Sequence, residues 1–247
     1  MQERSDPTPA GDAPASDGEA ELPLGDRLVH AALDQLAEEG VEALTLRSVA
    51  RRAGVSHAAP ARHFENLADL LAEVAATGFR MLSEAIEKSG ASLPPDANPR
   101  ARLGAGGRAY LDCALAHPGL FALMFRSTAL NRENAALQRD SRAAFERLLD
   151  LVRDAQASGW HAARDPERVA GVMWASVHGL ATLWVHGAYT DAMPDASLDL
   201  ALATVFELVA SPADAPPPTT GTAVATAVKS TDPTPTGGAR RAQGDSE

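Results

Sequence analysis

From residue 22 to residue 210, apolar side chains recur every three or four positions, and no stretch alternates with a period of two. That periodicity predicts helices throughout and no sheet. The first helix spans 26–39, with Leu28, Val29, Ala32, Leu33 and Leu36 on one face and Gly40 as its stop. Thr45 caps a second helix in which Leu46, Val49, Ala50 and Ala53 face inward. Gly54 stands where a helix end needs a left-handed residue, and Ser56 is expected to cap a further short helix over 56–64. Asn66, with Asp69 three residues on, opens a long helix to about residue 88 whose inner face carries Leu70, Leu71, Val74, Phe79, Leu82 and Ile86.

A run rich in proline over 93–99 breaks the pattern. Five helices are expected beyond it. The first spans 100–117 and is interrupted by Gly104, Gly106 and Gly107. The others are 119–125, opened by Pro118; 133–158, with Phe145, Leu148, Leu149 and Val152 inside and Gly159 as its stop; 165–189, started by Asp165 and Pro166; and 196–210. The fold class is all-α: a three-helix N-terminal unit joined by a long helix to a helical bundle. The tails differ in kind. Residues 1–21 hold six acids and one base among Pro, Gly and Ala, and residues 211–247 are rich in Pro, Thr, Ala and Gly, so both are expected to be disordered. The expected domains are therefore 22–92 and 93–210, flanked by those tails.

Composition narrows the class. With 45% hydrophobic residues in 247, the chain can bury a real core. It has no run of about 18 apolar residues and no apolar segment near its start, which predicts neither a membrane span nor a secretory signal. Cys113 is the single cysteine, so no intrachain disulfide forms, which suits a reducing cytoplasm.

Charge singles out one stretch. Residues 45–64, TLRSVARRAGVSHAAPARHF, contain four Arg and no acid, in a chain of net charge −11. Two short helices around a glycine turn make a helix-turn-helix, whose second helix enters the DNA major groove. A positive stripe on an acidic protein is the footprint of phosphate contact.

The helix pattern over 26–74, with Gly40, TLRSVARRAGVS and RHF, resembles the TetR family of transcriptional regulators. Downstream, His117-Pro118-Gly119-Leu120-Phe121, Leu123-Met124-Phe125, and Trp174, Val177, His178 and Gly179 resemble the C-terminal domain type named for a Trp-His-Gly signature. The resemblance covers about residues 26–210. It implies a homodimer bound to a pseudo-palindromic double-stranded DNA operator and released by a small molecule in the second domain. It also implies DNA contacts at Thr45, Ser56, His57 and His63, to which the residue pattern adds Arg47, Ala58 and Arg62. The chain departs from the family at Ala61, where tyrosine is common, and at Leu67, where lysine is common. Both are frequent phosphate contacts, so weak backbone affinity is implied. Pro60 inside the recognition segment removes a donor.

Other chemistry carries less. Cys113 and His117 stand four apart on one helix, but two ligands do not close a metal site. Asp112 with that pair makes a triad only on paper, because a triad needs side chains converging from separate elements. No catalytic residue, metal site or cofactor is assigned. Phe121, Met124, Phe125, Met173 and Trp174 fit either a core or the wall of an apolar pocket, with Tyr110 and His178 as its polar atoms. His178 fits a hydrogen-bonded core histidine equally well. Leu180, Leu183, Trp184, Leu202 and Phe206 on the last two helices are the expected dimer interface. The expected function is a cytoplasmic, ligand-released repressor. An activating or ligand-independent DNA binder, and a helical-bundle enzyme, are the alternatives.

Overall fold

The computed structural model describes residues 22–125, 128 and 130–210, and among them all regular structure is helical. The expectations for the two tails lie outside the described residues. The N-terminal unit consists of α1 (Leu24–Glu39), α2 (Leu46–Arg52) and the start of α3 (Leu67–Ala91). Then follow α4 (Pro99–Ala116), α5 (Pro118–Phe125), α6 (Ala135–Ala157), α7 (Pro166–Val185), α8 (Ala188–Ala192) and α9 (Leu198–Ala210). The helix expected over 165–189 is thus two. Gly187 takes φ +76 after α7, a left-handed turn that α-helix cannot continue through.

Local chemistry sets these boundaries. The Thr45 hydroxyl accepts from the Ser48 backbone N–H at 2.9 Å, and Ser48 accepts from the Thr45 N–H at 3.0 Å. Asn66 and Asp69 form the same reciprocal box on α3. Behind α2, Gly54 has φ +68, the Val55 N–H reaches Ala50 O at 3.0 Å and the Gly54 N–H reaches Arg51 O at 3.2 Å. Those two bonds are a Schellman stop.

α3 is the axis. At 25 residues it is about 37 Å long, and it packs on α1, α4, α5 and α6 in turn. Buried Asp140 of α6, held by Arg80 of α3 at 3.1 Å and by its neighbour Arg139 at 2.7 Å, ties those two helices by charge as well as by packing. α4 runs unbroken through Gly104, Gly106 and Gly107, contrary to the expected interruption. The physical reason is close approach: a Cβ on Gly107 would stand 2.8 Å from Phe206 Cε2 of α9. The core falls into two clusters, a large one around Leu28, Leu70, Val74 and Leu111 and a smaller one around Leu103, Val152 and Met173.

Candidate DNA-reading surface and effector cavity

The recognition segment differs from the expected α-helix. An α-helix capped at Ser56 needs a bond from the residue 60 N–H to the Ser56 carbonyl, and Pro60 has none. The Ser56 carbonyl instead accepts from the Ala59 N–H at 3.0 Å, and the chain continues as a tight 3-10 turn over Pro60–Arg62, with the His63 N–H on Pro60 O at 2.9 Å. Ala59, Pro60 and Phe64 are buried and anchor the turn. His57, Ala58, Ala61, Arg62 and His63 are exposed, as are Ser56 and, at the start of α2, Thr45 and Arg47. All seven residues expected at DNA therefore share solvent access on one short stretch.

The arginines are not equivalent. Arg52 is ion-paired with Glu38 of α1, and its guanidinium holds the Glu38 carboxyl below the usual carboxylate range. Arg27 of α1 donates to Ala53 O at the end of α2 at 3.1 Å. These two cations fix α2 to α1, whereas Arg47, Arg51 and Arg62 are exposed with no ion pair among the described residues.

In the C-terminal half a cavity of about 760 Å³ opens between the two core clusters. Its apolar wall includes Phe79, Leu82 and Ile86 of α3, Met124 and Phe125 of α5, and Met173 and Trp174 of α7. Tyr110 also lines it. Its hydroxyl lies 2.8 Å from His178 Nδ1, and burial pushes the phenol above its ordinary range. A phenol kept protonated donates, so His178 accepts at Nδ1, and burial holds the imidazole below its ordinary range, in keeping with that neutral form. His178 and Phe121 stand behind the lining, with Phe121 edge-on to Tyr110 at 5.7 Å. Five of the seven residues expected at the ligand thus line the cavity, and the other two support Tyr110.

The expected dimer residues scatter. Leu180 and Leu202 are 6% and 7% exposed within the protomer, packed in its core. Phe206 lines the cavity, because Gly107 admits its ring against α4. Leu183 is exposed and Trp184 half-buried against Tyr189. Arg132, Gln138, Ser141 and Arg142, which no sequence pattern singled out, also line the cavity. Gln138, Ser141, Arg142 and Phe145 follow helical spacing on α6, a legible stripe, but nothing local shows that it faces a cavity. Cys113 is half-buried with its thiol pushed up by burial, and Asp112 pairs with Arg108. Among the described residues no three His, Cys, Asp or Glu stand together as metal ligands, and no helix is long and apolar enough to cross a membrane.

Two family models match the chain: "Bacterial regulatory proteins, tetR family" over residues 28–74, and "Tetracyclin repressor-like, C-terminal domain" over residues 103–205. The chain belongs to the TetR family. Among similar solved structures is a protein of unknown function from Rhodococcus sp. RHA1, 32% identical over 80% of this chain and 97% of that one, with TM-score 0.67. The transcriptional regulator PfmR from Thermus thermophilus is 20% identical, covers 75% and 97% of the two chains and has TM-score 0.54. FadR from Bacillus subtilis, solved in complex with stearoyl-CoA, is 17% identical, covers 75% and 97%, and has TM-score 0.55. A comparison with curated proteins found no match. As a TetR-family member the protein is a DNA-binding transcriptional regulator. The C-terminal description is general and names no Trp-His-Gly type.

Proposed function

We propose that the protein is a dimeric repressor released from a palindromic operator when an effector with a large apolar part fills the cavity. The observation that carries this reading is that one helix serves both sites. α3 supplies Phe79, Leu82 and Ile86 to the cavity wall, while its cap, Asn66, follows the buried anchor Phe64 of the recognition turn by two residues. A displacement of α3 by ligand therefore moves the surface that carries Arg62 and His63. The cavity volume is typical of small-molecule sites. FadR, which shares the fold, holds stearoyl-CoA, a molecule with a long apolar chain.

In this reading Thr45, Arg47, Ser56, His57, Ala58, Arg62 and His63 contact DNA, and residues 22–92 act as the DNA-binding part. The two copies meet through the exposed apolar residues Val172 and Leu183 of α7 and Leu200 and Leu208 of α9, which are 49–74% exposed in the protomer and too many for a solvated face. Leu180 and Leu202 support that face from beneath.

The test is operator binding by fluorescence anisotropy, with and without each member of a panel of apolar metabolites. Trp174→Ala should bind operator like the wild type and resist release. Release of wild type and variant alike by the same compound would place the effector elsewhere.

A further inference from the structure

The cavity has a charged end. Arg132, in the loop before α6, and Arg142, two turns into α6, both line it, and among the described residues no Asp or Glu does. In a chain of net charge −11 this is a local excess of two positive charges. Neither guanidinium has an ion-pair partner among the described residues, whereas Arg80, Arg108, Arg139, Arg147 and Arg153 all do. The Gln138 side-chain N–H donates to the Arg132 carbonyl at 3.0 Å, tying the loop to α6 one turn before Arg142, and Ser141 accompanies Arg142 on the same helical stripe. Nine residues further along α6 from Arg142, Leu151 lies against Gly106 of α4, and these two lining residues are apolar.

From this asymmetry we infer that the effector is an anionic amphiphile, with its apolar chain in the cavity and its carboxylate or phosphate head met by Arg132 and Arg142. The inference rests on the cavity being the effector site. A guanidinium fork matches such an oxygen pair in geometry as well as charge. Arginines that only cover apolar surface with their stems, heads in water, would treat charged and neutral amphiphiles alike, so the two cases separate by experiment.

The probes are dodecanoate, dodecanol and dodecylamine, with equal chains and different heads, each titrated below its micelle-forming concentration against the full-length protein. Intrinsic tryptophan fluorescence reports occupancy, since Trp174 of the three tryptophans lines the cavity. Dodecanoate should bind about ten-fold more tightly than dodecanol, equivalent to about 1.4 kcal/mol, and dodecylamine least. The gap should narrow as salt is raised, because the two heads lie near solvent. Arg132→Gln with Arg142→Gln should leave dodecanol binding unchanged and bring dodecanoate down to it. Arg132→Glu with Arg142→Glu should reverse the order in favour of dodecylamine, a gain that a misfolded variant cannot produce.

Equal binding of dodecanoate and dodecanol by the wild type, or an unchanged order in the Glu pair, overturns the inference. So does failure of all three to bind. If dodecanol releases operator as well as dodecanoate does, the effector site stands and the head-group inference falls. If dodecanoate binds through the arginines and leaves operator affinity unchanged, the anion site stands and the effector reading falls.

Discussion

Asn131 donates its side-chain N–H to Asp69 Oδ1 at 2.6 Å, so the loop that leads into α6 is fastened to the first turn of α3. A second clasp lies one turn along, from Asn134 to Glu73 at 3.0 Å, and the Asn131 backbone N–H reaches Ala68 O at 3.2 Å. Arg132 of the cavity lies between those two asparagines. Asp69 also closes the Asn66 box that starts α3 beside the recognition turn. In the proposed reading the route from the cavity to the DNA-reading surface is therefore short and polar. Asn131→Ala with Asn134→Ala should keep operator and ligand affinities within about three-fold while cutting their coupling, which in allosteric proteins is about 1–3 kcal/mol. Operator anisotropy with and without ligand checks it, and undiminished release by the variant would remove the clasp from the mechanism.

The arginines of the DNA-reading part should divide into two kinds. Log affinity falls with log salt by about 0.9 for each phosphate neutralised. Arg47→Gln and Arg62→Gln should each make that slope shallower by about this amount per half-site. Arg52→Gln should leave the slope unchanged, since Arg52 is spent on Glu38. Salt titrations of the three variants on one operator decide it. A slope that moves with Arg52 would mean that the ion pair opens on DNA.

Two glycines of α4 should answer oppositely to one substitution. A helix interior favours Ala over Gly by about 1 kcal/mol. Gly104 has open space where a Cβ would go, so Gly104→Ala should raise the melting temperature. Gly107→Ala meets the Phe206 ring at 2.8 Å. It should forfeit that gain and push the ring into the cavity, weakening ligand binding. Equal melting temperatures for the two variants would contradict the packing described for α9.

That pair shows where the sequence was legible. Thr45, Gly54, Asn66 and Asp69 act on neighbours within a few residues, so the helix-turn-helix scaffold could be read in order along the chain. Pro60 was visible too, but its effect is specific: it removes the one N–H that the Ser56 carbonyl needed, and an α-turn becomes a 3-10 turn. Gly107 looked like a weak point because its partner, Phe206, is 99 positions away. For the same reason the burial of Leu180 and Leu202 within the protomer was not legible: periodicity shows that a helix has an apolar face but not whether it packs within the protomer or on a second copy. Arg132 and Arg142 lie ten residues apart on different elements, and only the folded chain brings them to one cavity.

Acid should weaken the fold through His178. Burial holds its folded pKa below the ordinary imidazole value, so the unfolded chain takes up this proton first as pH falls. The stability that neutral His178 contributes is fully present above about pH 6.5 and is lost as pH drops toward the lowered folded value. Denaturant midpoints across that window should fall more steeply for the wild type than for His178→Phe. Parallel curves would mean that His178 does not titrate with folding.

Coupling of cavity to operator is the central claim, and linkage tests it most directly. The tightest-binding amphiphile is titrated calorimetrically into free protein, and again into protein saturated with an operator selected from random-sequence DNA. If the ligand releases the protein by preferring its unbound form, its affinity must be lower on the complex by the same factor by which it weakens operator binding. The account predicts a reduction of roughly 100-fold, about 2.7 kcal/mol. Equal affinity for free and operator-bound protein would contradict it.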